Sequence, residues 1–160
     1  MNFQKQNPNT HHLNVNRTNP NSTYVKVELK FKGYKKYHIC AYIDTGASLC
    51  VAHPEIIPEE YWEQSDNEIT VRVASDEYVK MNKVAKNMEI NMCGNKFIFP
   101  KIYHQSTGID LIIGNNFLKL NSPFVQTNDY ISIVHHLTNE LIICPIMKNA
   151  YKVAQHNFLD

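Results

Sequence analysis

The 160-residue sequence has only four cysteines and five glycines, and it contains no long hydrophobic run. Cys40, Cys50, Cys93 and Cys144 are widely separated and form no C-x-x-C pair. The disulfide framework of a short secreted domain is therefore not expected, and we predict four reduced thiols. No apolar segment approaches the roughly 20 residues that span a bilayer, and the polar N-terminus lacks the apolar core of a secretory signal. These absences predict an intracellular protein that is not secreted and contacts no membrane.

The sequence also shows no large excess of basic over acidic residues, or of acidic over basic ones. The chain has 16 basic and 15 acidic side chains, which gives a formal net charge of +1. A segment that binds nucleic acid normally carries a basic patch that neutralises phosphates. We therefore expect this segment to bind no nucleic acid.

The first 22 residues differ in composition from the rest of the chain. They contain seven asparagines and two prolines but few large apolar residues, so burial cannot offset the entropy lost on ordering them. We predict a disordered arm over residues 1–22 and a folded domain over residues 23–145. Residues 146–160 have a weak pattern and are predicted to be a C-terminal tail or linker.

Apolar residues alternate with polar ones through much of the folded domain, which is the pattern of half-buried β-strands. Residues 24–31 and 37–43 alternate in this way and predict a β-hairpin that ends at Asp44. Leu111-Ile112-Ile113 is fully apolar, which is typical of a strand covered on both faces, and a brief helix is predicted over residues 115–120. The class is mainly β, barrel-like or sandwich-like, with one or two short helices.

The string Asp44-Thr45-Gly46-Ala47-Ser48 follows the second strand of that hairpin. Peptide hydrolysis without a metal or a covalent nucleophile needs a base to activate water and an acid to protonate the leaving amine. Two close carboxylates supply both, because like charges in contact cannot both ionise and so share one proton. Gly46 lets a substrate approach the backbone closely, and the Thr45 hydroxyl can hold the turn. Alone, the triplet is a weak signal, because an ordinary turn that closes a strand uses the same residues.

A second string, Ile112-Ile113-Gly114, comes about 70 residues later and leads into Asn115 and Asn116. With both strings the sequence resembles the retropepsin family. The resemblance implies that Asp44, Thr45 and Gly46 form the catalytic triplet, supported in the same loop by Ala47 and Ser48. It implies that the second strand packs behind this loop, and that Asn116 matches a position that is usually Asn or Asp. The implied fold is a closed β-barrel, the acid protease half-fold, that works as a two-fold dimer.

The sequence looks closer still to the protease of the plant pararetroviruses, the caulimoviruses. Further strings that carry this resemblance are Tyr34-Lys35-Lys36, Leu49-Cys50, Ile57-Pro58-Glu59-Glu60 with Trp62, and Gly108-Ile109-Asp110. The resemblance implies an aspartic endopeptidase that acts in the host cell cytoplasm on an extended viral polyprotein, including itself, with the coat protein precursor as a candidate substrate. It also implies that the chain is the N-terminal segment of a longer polyprotein that encodes a reverse transcriptase.

The sequence departs from the retropepsin pattern at one ion pair, and it carries a single Asp-Thr-Gly triplet. Retropepsins often pair an Arg after the second-motif glycine with an acidic residue after the catalytic triplet, and here those places hold Asn115 and Ser48. We expect a hydrogen bond in place of that ion pair. The chain has a single Asp-Thr-Gly, so a second identical subunit must supply the second carboxylate.

A hairpin over Ile69–Val84 is the candidate flap, which would close over substrate and exclude water. Its turn-like middle is Ser75-Asp76-Glu77, which we take as the flap tip although family flaps usually carry glycine there. A plain surface hairpin is the alternative interpretation of this segment.

Other interpretations remain open from the residues alone. The fold could serve as a catalytically silent protein-binding or dimerisation module, or the triplet could be a coincidence in a strand-rich structural domain. His38, Cys40, Cys50 and His53 could in principle offer four ligands to zinc, but the alternation in the strand turns Cys40 away from its neighbours. We therefore expect no metal and no cofactor. The pair His135-His136 is expected to be a solvated strand end.

Overall fold

The structure is a computed structural model that describes residues 10–12, 23–72 and 77–148. Within these residues the chain forms eleven strands, one short helix and two 3-10 turns. The strands are β1 (Thr10–His12), β2 (Tyr24–Leu29), β3 (Tyr37–Ile43), β4 (Cys50–Ala52), β5 (Glu63–Arg72), β6 (Tyr78–Met92), β7 (Asn95–His104), β8 (Leu111–Ile113), β9 (Val125–Gln126), β10 (Tyr130–Val134) and β11 (Leu141–Pro145). The helix α1 spans Asn115–Leu118, and the 3-10 turns span Pro54–Ile56 and Glu59–Tyr61.

Six strands close into a barrel. Their order around the ring is β6, β2, β3, β8, β4 and β7, and β7 pairs with β6 to complete it. Strand β5 pairs with the first part of β6 and extends this sheet, and β1 lies on the outer edge of β5. A separate three-stranded sheet contains β9, β10 and β11. The prediction of a mainly β, closed-barrel fold with few short helices is confirmed.

Strands β2 and β3 form the antiparallel hairpin that their alternating apolar residues predicted. Val25 and Val27 are buried and lie opposite Ala41 and Ile39 in an antiparallel register, whereas Lys26 is exposed. The hairpin between β6 and β7 turns at Cys93 and Gly94, whose φ angles are 54° and 75°. Two residues at positive φ are the requirement of a tight two-residue hairpin.

Three aromatic rings occupy the centre of the core. Phe97, Phe99 and Phe117 are fully buried. Phe117 stacks on Phe99 with ring centroids 4.0 Å apart and meets Phe97 edge-on at 5.6 Å. These contacts fasten α1 to β7. The buried face of the three-stranded sheet, including Ile131 and Ile133, joins the same core.

The cysteine prediction is wrong for two of the four residues. Cys93 and Cys144 form a disulfide whose Cα atoms are 5.5 Å apart, while Cys40 and Cys50 are buried free thiols. The bonded residues are separated by 51 positions. They meet because the turn after β6 packs against β11, a contact that sequence spacing does not encode.

The structure also differs from the sequence-based expectation at the N-terminal arm. Residues 10–12 form β1, which pairs with β5 through its backbone. Composition predicted disorder because the arm offers little apolar surface, but backbone pairing at a sheet edge needs no apolar side chain. The other residues of the arm lie outside the described part of the chain. At the other end, β11 ends at Pro145, and the Met147 N–H donates to the Tyr24 carbonyl.

His135 is buried rather than solvated, at 5% exposure. Its ring stacks on Phe97 with centroids 4.5 Å apart, and Nε2 lies 2.7 Å from the Lys96 carbonyl oxygen. The expectation of a solvated strand end is therefore wrong for this residue. No helix in the described part of the chain is long and apolar enough to cross a membrane.

We expect Phe117→Ala to lower the free energy of unfolding by about 3–5 kcal/mol, since it leaves a cavity between α1 and β7. Urea unfolding followed by circular dichroism measures this. Leu137→Ala is the matched control: Leu137 is 67% exposed, so the change should stay within about 0.5 kcal/mol. Equal losses in the two variants would contradict this account of the core.

Candidate active site

The two sequence motifs meet at one end of two neighbouring barrel strands. Residues Ala41–Ile43 of β3 run parallel to Leu111–Ile113 of β8 and pair with them residue for residue. Just beyond both strands, the Asp44 N–H donates to the Ile113 carbonyl at 3.0 Å. The parallel pairing therefore brings residues that are far apart in sequence to the same edge of the barrel.

The Asp44 carboxylate is buried and held by its own loop. Asp44 is 6% exposed, and its Oδ1 accepts a hydrogen bond of 2.9 Å from the backbone N–H of Gly46. The Ala47 N–H donates to the Asp44 carbonyl at 3.1 Å. Thr45 and Gly46 are exposed, whereas Ala47 is fully buried. The loop thus fixes one oxygen of the carboxylate and presents Thr45 and Gly46 at the surface.

The second motif forms a backbone clamp behind this loop. The Asn115 N–H donates to the Ala47 carbonyl at 2.8 Å, and the Asn116 N–H donates to the Ser48 carbonyl at 3.0 Å. These donors belong to the first turn of α1, whose N–H groups have no partners within the helix. A carbonyl in the Asp44 loop accepts a hydrogen bond from each of them.

Gly114 makes this approach possible. A Cβ atom added at Gly114 would lie 2.3 Å from the Leu49 carbonyl oxygen and 3.0 Å from the Ala47 carbonyl oxygen. Both neighbours are backbone atoms, so no side chain can rotate away. The glycine is required here by close backbone contact rather than by an unusual backbone conformation.

The two asparagines after Gly114 extend the clamp through their side chains. Asn115 Nδ2 donates to the Thr45 carbonyl at 2.8 Å. Asn116 Oδ1 accepts from the Cys50 N–H at 2.9 Å, and its Nδ2 donates to the Lys101 carbonyl at 3.0 Å. A hydrogen bond was expected between Asn115 and Ser48, which replace the retropepsin ion pair, but the Asn115 side chain bonds the Thr45 carbonyl instead. Asn115 thus contacts the Asp44 loop directly, although the sequence singled it out only as a replaced ion-pair position.

The buried thiol of Cys50 lies behind the clamp. Gly114 N–H points at Cys50 Sγ from 3.4 Å. Burial raises the pKa of Cys50 to about 12, and backbone N–H groups of Gly114 and Phe117 only partly offset this rise. The thiol is therefore protonated at neutral pH and is unsuited to act as a thiolate nucleophile.

The predicted flap forms the antiparallel hairpin of β5 and β6. Val71 and Met81 are buried in one apolar cluster with Ala47 and Ile112, so the hairpin packs against the Asp44 loop. Of the predicted tip, Glu77 is exposed, whereas Ser75 and Asp76 lie outside the described residues. Its action as a flap remains a prediction.

Within the described residues, His38, Cys40, Cys50 and His53 do not come together as a metal site. Among the described residues, no group of three or more His, Cys, Asp or Glu side chains is arranged to hold a metal ion. His53 instead uses Nδ1 to accept a hydrogen bond of 3.2 Å from the Glu55 N–H, and this caps the first 3-10 turn.

We expect Gly114→Ala to lower the free energy of unfolding by about 3 kcal/mol, because the added methyl group forces the clamp apart. Urea unfolding measures the loss. The comparison variant is Gly94→Ala, which places a methyl group in open space but at a positive φ of 75°, so its cost should be about 1 kcal/mol. If Gly114→Ala lowered the free energy of unfolding no more than Gly94→Ala, the close backbone contact would not be what requires glycine at position 114.

Comparison with known proteins places the chain among viral polyprotein segments. The family model described as Cauliflower mosaic virus peptidase (A3) matches residues 19–159. The chain is 47% identical over 149 residues to the enzymatic polyprotein of Figwort mosaic virus (strain DxS), which covers 93% of this chain and 22% of that polyprotein. It is 40% identical over 146 residues to the enzymatic polyprotein of Carnation etched ring virus, covering 91% of this chain and 22% of that protein.

A more distant relative matches over a shorter stretch. The enzymatic polyprotein of Soybean chlorotic mottle virus is 36% identical over 124 residues, which covers 76% of this chain and 17% of that protein. The chain thus spans only about a fifth of the polyproteins it matches. The family match covers nearly all of the chain and both motifs at the Asp44 loop. The chain therefore belongs to the Cauliflower mosaic virus peptidase (A3) family, a family of viral proteases.

Proposed function

We propose that the chain is an aspartic endopeptidase, active as a homodimer in which each subunit contributes Asp44. The observation that carries the proposal is the placement of this carboxylate: it is buried, hydrogen-bonded by Gly46, and held in a loop that Gly114 and Asn115 clamp from behind. A fixed carboxylate at the exposed end of a barrel is suited to act on a substrate that binds outside it. A second copy of the same loop, related by a two-fold axis, completes the pair.

The chemistry uses one proton shared between two carboxylates. The ionised Asp44 takes a proton from a water molecule, whose oxygen attacks the peptide carbonyl, while the protonated Asp44 of the second subunit donates to the carbonyl oxygen. The tetrahedral intermediate then breaks its C–N bond as the carboxyl that took the water proton donates it to the departing nitrogen, while the other carboxylate recovers a proton from a hydroxyl of the intermediate. The hydrogen bond from Gly46 keeps one oxygen of the carboxylate oriented throughout, so no reorganisation is needed at each step.

The substrate we propose is an extended polypeptide segment with apolar side chains. An extended peptide can pair its backbone with an exposed strand edge, and the hairpin of β5 and β6 offers such backbone beside the loop. Apolar residues surround both motifs, including Ile43 and Ile112. Since the matched relatives are enzymatic polyproteins, we propose self-release and processing of the viral polyprotein, with the coat protein precursor as a further substrate.

We place this activity in the host cell cytoplasm. The free thiols of Cys40 and Cys50 accord with a reducing compartment, although the bond between Cys93 and Cys144 is of a kind that is rare there. The competing function is a catalytically silent binding or dimerisation module. The intact Asp-Thr-Gly opposes it, because a scaffold gains no stability from a carboxylate placed in an apolar setting.

We expect Asp44→Asn to abolish cleavage, a loss of at least about 10²–10⁴-fold, because the neutral amide can neither accept nor donate the catalytic proton. The assay follows self-cleavage of the chain carrying a C-terminal extension, by gel and mass spectrometry. Asp129→Asn is the matched control, since it makes the same chemical change at an exposed position outside the candidate flap hairpin and should leave cleavage unchanged. If a folded Asp44→Asn protein cleaved at the same rate as the parent protein, the mechanism would be ruled out.

The dimer is tested by mixing subunits. If two Asp44 residues are required, adding an equal amount of the Asp44→Asn chain to the parent leaves about one quarter of randomly formed dimers with both carboxylates. The rate of peptide cleavage should fall to about half, and it should fall further as more variant is added. Substrate is kept in large excess over total protein, so that binding to inactive subunits does not deplete it. A rate that stays constant would show that one subunit acts alone.

A further inference from the structure

The outer edge of β5 is occupied by the chain's own N-terminal arm. Strand β5 pairs with β6 along one edge. Along its other edge Thr70, Val71 and Arg72 pair in parallel with Thr10, His11 and His12, respectively. An unfilled edge exposes a row of N–H and C=O groups that readily accept another extended segment. Here residues from the start of the same chain fill that row.

This edge lies on the hairpin that packs against the catalytic loop. Val71, at the middle of the paired stretch, is fully buried. It shares an apolar cluster with Ala47, three residues after Asp44, and with Ile112 of the second motif. A segment paired to β5 at Val71 therefore lies along the strand that links the hairpin to the Asp44 loop.

We propose that the N-terminal arm is an intramolecular competitive inhibitor, in which the backbone of residues 10–12 occupies the β5 edge that an extended substrate uses. The inference rests on the proposed protease function, since it concerns access of substrate to the same site. The occupant is this chain's own segment, and the recognition is backbone pairing at a sheet edge.

The pairing between the arm and β5 is short enough for a substrate to displace the arm. The pairing covers only three residues, so each molecule loses few hydrogen bonds when the arm leaves. Ten residues, 13–22, separate β1 from the folded domain. Because the arm and the edge belong to the same chain, their pairing is intramolecular and does not depend on protein concentration. A longer or more apolar substrate segment then displaces it.

The experiment breaks the pairing in the full chain with a double proline variant, His11→Pro/His12→Pro. Proline lacks the backbone N–H and disfavours ladder pairing. Two consecutive residues are changed because successive N–H groups along a strand point to opposite sides, so one of the two faces β5. The matched control is His11→Ala/His12→Ala, which removes the same side chains and keeps both N–H groups.

Two readouts separate the inference from the proposed function. Hydrogen exchange at the amides of Thr70–Arg72 that point toward β1, measured in an Asp44→Asn background, reports the pairing without any proteolysis. The remaining amides of this stretch point toward β6 and serve as an internal reference. Exchange at the amides that point toward β1 should be faster in the proline pair than in the alanine pair. Steady-state cleavage of an unrelated apolar peptide should then show a KM about threefold lower or more in the proline pair, at unchanged kcat, because the edge is free in a larger fraction of molecules.

The possible results separate the inhibitor role of the arm from the protease function of the chain. Equal exchange in the proline and alanine pairs, or an unchanged KM despite faster exchange, would overturn the inhibitor role. Cleavage within the arm, detected as an N-terminal fragment by mass spectrometry, would also overturn it, because the arm would then be a substrate. Absence of cleavage in every variant, with exchange as expected, would instead count against the protease function and leave the pairing established.

Discussion

The site depends on one close contact between two backbone segments. The loop after β3 and the turn before α1 approach each other so closely that a methyl group on Gly114 would overlap the Leu49 carbonyl. This distance lets the N–H groups of Asn115 and Asn116 reach carbonyls of the loop. A helix of only four residues can serve here because what it contributes is unsatisfied N–H groups rather than length. The loop is thereby a rigid extension of the barrel.

Asn115 holds this loop without a charge. A retropepsin ion pair gains Coulomb energy but loses hydration when it is buried, so its net contribution is often small. The Asn115 side chain makes one neutral hydrogen bond to Thr45 and adds no charge of its own beside Asp44. A carboxylate pair that shares one proton is sensitive to nearby charge. In the proposed dimer, a neutral clamp would therefore orient the loop without itself biasing the protonation of that pair.

The barrel and the hairpin have different roles around this loop. Closure of six strands leaves the ring without edges, whereas β5 lies outside the ring and pairs with β1 along its outer edge. The same strand packs Val71 against the loop. An edge of this kind can pair with extended chain, here the protein's own arm and, in the proposed function, a substrate. On that proposal, substrate recognition by backbone pairing and catalysis by Asp44 are built on adjacent elements.

Local pattern determined much of this protein. Alternation in β2 and β3 and the apolar run of β8 predicted a mainly β, barrel-like or sandwich-like class with a brief helix, and the resemblance carried by both motifs added the closed barrel. The role of Asp44 as the catalytic residue stays a prediction. Tertiary structure alone decided the contacts between distant segments: the bond between Cys93 and Cys144, the burial of His135 against Phe97, and the pairing of β1 with β5. Periodicity records which side of a strand is buried. It does not record which distant strand lies beside it, because that depends on how the whole barrel closes.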